Sequence, residues 1–257
     1  MSLPTVNVTG TKITALPFKE QISTIIRWTN KRSSRIICVA NVHMLMDSRK
    51  NKNLQRALEN ADLITPDGMP IVWVMRSLGI RNQDRVAGLD IFLAVCHQAI
   101  RNNVSIYLLG STQDVLSKMK VRLKHEFPSL KLAGMESPPF RPLTKVEDIE
   151  LIERINRSGA GITFISLGCP KQECWMHEHL GKINSVMIGV GAVFPVYAGE
   201  KRYAPKWIRE SGLEWLYRLL QEPRRLFRRY LRTIPPFIWL ALQQVGTQKK
   251  QRQLLRF

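Results

Sequence analysis

Short apolar runs rich in β-branched residues recur along this chain at intervals that leave room for a helix between them. No other feature of the sequence constrains the fold as much. The runs are RIICVA (35–40), DLIT (62–65), SIYLLG (105–110), LKLAG (130–134), GITFISLG (161–168) and SVMIGVG (185–191). Helical periodicity fills the intervals over 43–60, 69–78, 88–102, 112–126, 146–157 and 170–181. Local signals support several boundaries: Thr112 precedes a helix with Asp114 in its first turn, Asn156 and Gly159 close another, and Pro170 stands at a first helical position directly after a strand. Parallel neighbours cannot be joined by a tight turn, so strands separated by helices of this length imply βαβ units. The expected fold is α/β and Rossmann-like: a mainly parallel sheet with flanking helices on both faces.

In open sheets of this kind ligands bind outside the carboxyl ends of the strands. That rule nominates the loops Asn41–His43, Thr65–Met69, Gly110–Gln113, Gly168–Gln172 and Gly191–Phe194, and with them Asn41, His43, Gly110 and Gly191 as candidate ligand contacts. Asp67, in Thr65-Pro66-Asp67-Gly68, is placed either as a general base or as an ordinary helix N-cap. Arg85, in DRVAG, could pair with a diphosphate or remain solvated. Lys171 and Gln172 follow Pro170 in a first helical turn, where free N–H groups and the positive helix end attract anions; the plainer alternative is a solvated helix start.

The same stretch, GCPKQECWMHEHL (168–180), carries Cys169, Cys174, His177 and His179 and so raises the question of a metal. The spacing argues against one. On a helix, His177 and His179 point about 200° apart and cannot share an ion, and Cys174 with His177 supplies only two ligands. We expect no metal site and no bound cofactor. No G-x-G-x-x-G follows a strand, and neither a phosphate-binding G-x-x-x-x-G-K nor a G-x-S-x-G occurs, so hydride transfer, loop-bound nucleotide hydrolysis and esterase chemistry lose support.

The charge is uneven. The chain carries +19 overall, and residues 200–257 hold 14 lysines and arginines against 4 acids. Strand alternation stops near residue 199, which divides the chain into an α/β domain (1–199) and a basic helical appendage (200–257). Helices there are expected to break at Gly212, Pro223 and Pro235–Pro236. Over 224–232, Arg224, Arg225, Arg228, Arg229 and Arg232 interleave with Leu226, Phe227, Tyr230 and Leu231, so arginines and apolar residues should occupy separate faces. A basic, aromatic, amphipathic segment of this kind suits an anionic membrane surface. No nucleic-acid-reading element accompanies it, and nucleic acid is not an expected partner. The four cysteines form no disulfide framework, and no leader or 18-residue apolar span is evident, which fits a reducing, cytoplasmic setting.

With these residues in view, the chain resembles the WecG/TagA/CpsF family of bacterial glycosyltransferases, also known as glycosyltransferase family 26. The similarity rests on ANVHML (40–45), ADLITPDGMPIVW (61–73), RVAGLD (85–90), YLLGS (107–111), SLGCPKQECW (166–175), IGVGAVF (188–194), AGEKRYAPKW (198–207) and GLEWLYRLLQEPRRLFRRYL (212–231). The resemblance implies a metal-independent hexosyltransferase acting with inversion at the cytoplasmic face of the membrane, to which it is bound peripherally. It would move a sugar (N-acetylmannosamine, glucose or a related hexose) from a UDP-sugar to a polyprenyl-diphosphate-linked saccharide during cell-surface polysaccharide assembly. It implies Asp67 as the catalytic base, Asn41, Arg85 and Gln172 as substrate contacts, and Arg218, Arg224, Arg225, Arg228 and Arg229 as cations of an appendage that docks on the membrane and completes the site. Val39 and Pro195 depart from the family pattern, where threonine and aspartate are common. A non-catalytic sugar-nucleotide or lipid-binding regulator is the alternative, and a homo-oligomer stays open.

Overall fold

A computed structural model of the protein describes the backbone of residues 3–254 and the side chains of 3–248 and 251; the last three residues of the basic segment, 255–257, lie outside it. The chain opens with a hairpin, β1 (Thr5–Val8) and β2 (Thr11–Thr14), followed by α1 (Phe18–Thr29). Neither appears among the sequence-based expectations; for the hairpin the reason is that two four-residue strands are too short for an alternating pattern to show. The α/β body continues through β3 (Arg35–Ala40), α2 (Val42–Ser48), α3 (Lys52–Glu59), β4 (Leu63–Pro66), α4 (Met69–Ser77), α5 (Gly88–Arg101) and β5 (Ile106–Gly110). It is completed by α6 (Gln113–Glu126), β6 (Leu132–Glu136), α7 (Lys145–Arg157), β7 (Ile162–Ser166), α8 (Lys171–Glu178), β8 (Val186–Gly189) and α9 (Val193–Tyr197). The C-terminal region adds α10 (Lys206–Glu210), α11 (Glu214–Gln221) and the long α12 (Pro223–Leu254).

All six expected strands form one sheet in the order β4-β3-β8-β7-β5-β6, and every neighbouring pair is parallel. Side chains alternate between its faces. Ile37, Val39, Ile106, Leu108, Ile162, Phe164, Val186 and Ile188 meet α1, α5, α6 and α9, while Ile36, Cys38, Ala40, Tyr107, Leu109, Ile165 and Met187 meet α2, α3, α4, α7 and α8. Both faces are buried, which explains why these strands read as continuous apolar runs. In the strand order, β3 sends the chain to the edge strand β4, whereas β8 reaches its place from the opposite side. The crevice at the carboxyl ends of β3 and β8 is therefore a switch point.

Three expectations are corrected. The helix expected over 43–60 is two helices, because the Asn51 side chain accepts hydrogen bonds from the N–H groups of Asn53 and Leu54 and starts α3 afresh. Pro170 is the residue before α8 rather than its first member. Finally, α12 runs unbroken through Pro235 and Pro236. Two missing N–H donors do not break it, since Leu226, Thr233, Phe237 and Ala241 are buried along one side against the body, notably α2 and α4.

That packing also overturns the expected separation of faces over 224–232. Leu226 is buried, but Phe227 and Leu231 are exposed, on the same outer side as Arg224, Arg228 and Arg232. The appendage is anchored at both ends. Near its start, Gly212 adopts φ +77°, and a Cβ there would come within 2.4 Å of the Trp73 ring of α4. Near its end, the Gln244 side chain accepts from Thr9 N–H (2.9 Å) and donates to the Asn7 carbonyl (2.7 Å) of the hairpin turn. No helix among the described residues is long and apolar enough to cross a membrane.

Since Phe237 is only 3% exposed, Phe237→Ala is expected to lower the unfolding free energy by about 3 kcal/mol in urea titration. An unchanged midpoint would show that α12 is not part of the core.

Candidate active site

Asn41, Asp67, Gly168 and Gly191 follow four neighbouring strands, so the carboxyl rim brings them together. Asp67 is placed by backbone pairing on both sides: its N–H donates to the Ala40 carbonyl (2.9 Å), and the preceding Pro66 carbonyl accepts from Val86 N–H (2.9 Å). The Thr65 hydroxyl donates to the Val86 carbonyl (3.1 Å). The loop carrying Arg85 is thus zipped to the end of β4, and Arg85 Nη2 lies 3.5 Å from Asp67 Oδ1. The same guanidinium reaches Asp90 Oδ2 at 3.6 Å and Glu214 Oε2 at 2.7 Å. Asp90 is shared with Arg209 (3.5 Å), whose guanidinium lies over the Tyr203 ring at 4.3 Å.

The electrostatics follow from this crowding. Burial pushes the Asp67 carboxyl up to about 6; Arg85 and Arg218 oppose the rise, and the like charges of Glu214 and Asp90 add to it. For Arg85, burial works against the charge, but Asp67 and Glu214 more than offset it, and its pKa is raised. His43, on the first turn of α2, is pushed down by burial and by the nearby Arg229 charge, with Asp47 (3.5 Å) opposing. Both effects favour the neutral imidazole. Asn41 caps α2 by accepting from Met44 N–H at 3.1 Å, which leaves its amide Nδ2 without an acceptor among the described residues.

Two cavities meet at this cluster. One, of about 320 Å³, is polar and lies over the ends of β3 and β8, walled by Gly88, Gly191, Arg202, Tyr203 and Arg225. The other, of about 560 Å³, is mainly apolar and runs outward between α4, α11 and α12 past Met69, Trp73, Trp215, Ile238 and Leu242. Asn41, His43, Asp67, Arg85, Glu214, Arg218 and Arg229 line both. A further cavity of about 620 Å³, beside the hairpin and the end of α12, contains none of these residues.

Not every candidate residue reaches the cluster. Gly110 lines neither cavity; with φ +113°, it lets β5 end against Ser166, whose carbonyl oxygen would lie 2.6 Å from an added Cβ. Lys171, Arg224 and Arg228 are exposed and also lie outside both linings. Arg225 borders the polar cavity but is paired with Glu222, which Lys201 also contacts at 2.8 Å. Gln172 lines the polar cavity while being buried. Its Oε1 accepts from Gly168 N–H (3.2 Å) and Gly191 N–H (3.1 Å), and its Nε2 donates to Glu173 (2.8 Å). It therefore clamps two rim loops together. Burial pushes the Glu173 carboxyl up, against the opposing hydrogen bonds from Gln172 and Cys169. Of the supposed metal ligands, His179 lies buried between the Asp148 carboxylate (3.0 Å) and the Trp175 carbonyl (2.6 Å), away from the rim.

Glu214, Asp90, Tyr203 and Arg209 were absent from the sequence-based candidates. A signal existed for one of them: Glu214 is among only four acids in residues 200–257. From the clamp geometry, Gln172→Leu is expected to cost about 1–2 kcal/mol, because two part-buried N–H donors lose their acceptor. Chemical denaturation checks this, and wild-type stability would show that both donors find other partners.

The sequence model of the Glycosyl transferase WecG/TagA/CpsF family matches residues 6–251. Among known proteins, the chain is 29% identical to an N-acetylglucosaminyldiphosphoundecaprenol N-acetyl-beta-D-mannosaminyltransferase of Bacillus spizizenii, over 84% of this chain and 82% of that protein. It is 28% identical to the protein of the same name from Bacillus subtilis, over 86% and 84% of the two chains. An open carboxyl rim with a partly buried aspartate, and a match that takes in both the sheet and the appendage, agree with one assignment: this chain belongs to the WecG/TagA/CpsF family of glycosyl transferases.

Proposed function

We propose that the protein is an inverting hexosyltransferase that moves a sugar from a UDP-sugar to a polyprenyl-diphosphate-linked saccharide at the cytoplasmic face of a membrane. The observation that carries this reading is the position of Asp67 where a polar cavity and an apolar one meet. A nucleotide sugar suits the first, and a lipid-linked acceptor, with its apolar tail directed outward, suits the second. The names of the two relatives support the acceptor class and favour N-acetylmannosamine among the candidate sugars.

In this reading Asp67 accepts the proton of the acceptor hydroxyl as that oxygen attacks the anomeric carbon in line. The bond from the anomeric carbon to the diphosphate breaks, its electron pair leaves with UDP, and the configuration inverts. The charge that grows on the leaving diphosphate is met by guanidinium groups: Arg218 and Arg229 line both cavities, and Arg202 borders the polar one. No step calls for a metal ion. Asn41 offers its free amide N–H groups to either substrate, and His43, pushed toward its neutral form, lines the same cavities. Val39, buried under the polar cavity and close to Gly88, gives that floor an apolar surface where a threonine would offer a hydroxyl.

Residues 200–257 would then act as a membrane-docking and site-completing appendage on the 1–199 domain. Phe227, Leu231, Ile238, Trp239 and Leu242 are exposed on α12, and Arg224, Arg228 and Arg232 accompany the first two. Apolar side chains flanked by cations are the composition of a helix that lies in the headgroup layer. The apolar cavity reaches this same surface at Ile238 and Leu242.

Asp67→Asn is expected to reduce transfer by about 100- to 10,000-fold with the fold retained by circular dichroism; near-normal turnover would sink the assignment of the base. With the Asp67 carboxyl at about 6, the wild-type rate should fall as pH drops through 6, because the protonated acid cannot accept the hydroxyl proton. A rate constant down to pH 4 would count against it. Replacing Leu231, Ile238, Trp239 and Leu242 together by serine should weaken sedimentation with phosphatidylglycerol vesicles by about 10-fold or more. Unchanged binding would refute the docking face.

A further inference from the structure

Glu214 belongs to the appendage, yet its carboxylate makes the shortest ionic contact of the active-site cluster, 2.7 Å to Arg85 Nη2. That same nitrogen stays 3.5 Å from Asp67 Oδ1, and Arg85 Nη1 stays 3.6 Å from Asp90 Oδ2. Left alone with one carboxylate, a guanidinium closes into a two-bond fork at about 2.8 Å. Arg85 does not form that fork with Asp67. Glu214 occupies Nη2 at close range, and Asp90 faces Nη1 from α5. The Arg85 side chain is only 12% exposed, so water does little to screen this competition.

Local structure fixes where Glu214 can go. It is the first residue of α11, two residues after the Gly212 turn that packs on Trp73, and the Leu213 N–H is tied back to the Ile208 carbonyl at 3.1 Å. Its carboxylate reaches Arg85 only while that turn is seated on α4.

We propose that Glu214 is a positioning residue for the transfer reaction: it holds Arg85 back from Asp67 and so preserves the ability of Asp67 to accept a proton. The inference rests on Asp67 being the base. It links the seating of α11 to the chemistry through one side chain, since an Asp67 locked in a fork with Arg85 would be a poor base. The sign follows from charge. Glu214 is a like charge that favours a proton on Asp67, and its removal also frees Arg85 to approach, so both effects make Asp67 more acidic. The other groups around Asp67 cannot substitute. Arg218 of α11 is a cation, as is Arg229 of α12; His43 of α2 carries no negative charge in either form; Asp90 of α5 is already shared with Arg209; and Tyr203 is a phenol whose pKa burial pushes up to about 12.

The test is the pH dependence of kcat for the full-length protein, Glu214→Gln and Glu214→Asp. The probes are UDP-N-acetylmannosamine and N-acetylglucosaminyl-diphosphoundecaprenol in phosphatidylglycerol vesicles. The acidic limb of Glu214→Gln should move down by about one pH unit, with kcat at pH 7 lower by about 3- to 30-fold. KM should change much less. Glu214→Asp, whose shorter arm weakens the hold on Arg85, should fall between the two. In parallel, ¹³C NMR titration of the Asp67 carboxyl, identified by its loss in Asp67→Asn, should show the same downward shift without relying on turnover. A limb and an NMR titration that stay in place in whichever variant folds overturn the proposal; a purely structural role would lower stability or kcat without moving them. Turnover by Asp67→Asn would instead sink the underlying assignment of the base.

Discussion

Parallel strands cannot be joined by a tight turn, and the remainder of this structure follows from that constraint. Each strand must hand the chain to a covering helix before the next can form, so both faces of the sheet become buried and all carboxyl ends point to one rim. Asn41, Asp67, Gly168 and Gly191 owe their proximity to this geometry and not to their spacing in the chain. The strand order then selects a place on the rim. Where β3 and β8 lie side by side but their connections diverge, no helix covers the ends, and the polar cavity opens there.

The appendage completes what the sheet leaves open. An uncovered rim with Asp67, Asp90 and Arg85 would be a shallow polar surface. The turn at Gly212 and the helices α11 and α12 wall it in, contribute Glu214, Arg218 and Arg229, and add the apolar cavity. The overall +19 charge therefore resolves into distinct roles. Arg218 and Arg229 face the cavities, Arg85 and Arg225 are held by carboxylates, and Arg224, Arg228 and Arg232 face outward beside exposed apolar side chains. In the proposed reaction, cations placed where solvent is partly excluded would act on a diphosphate, and Glu214 would keep Arg85 from closing onto Asp67.

Much of this was legible beforehand because its cause is local. The six strands were visible as apolar runs, and the carboxyl-end rule pointed to Asn41, Asp67 and Gly191, all of which line the polar cavity. Gly110 satisfied the same rule but serves the close approach of β5 to Ser166, a contact between non-neighbouring segments that no local pattern reveals. The hairpin was missed because four-residue strands carry too little periodicity. Pro235 and Pro236 misled in the opposite direction, because the burial of Phe237 and Ala241 outweighs two lost donors.

By itself, the sequence determined the α/β architecture, the rim on which the site lies and the family, since periodicity and short ordered motifs express local backbone preference and burial. Only the tertiary structure decided what the side chains meet. It turned Gln172 into a clamp between two loops, brought Glu214 across 129 residues to Arg85, and sorted the apolar residues of α12 between the core and the exposed surface. The physical reason is that desolvation, ion pairing and competition for a shared guanidinium depend on distances between remote segments, and those distances are set when the elements pack.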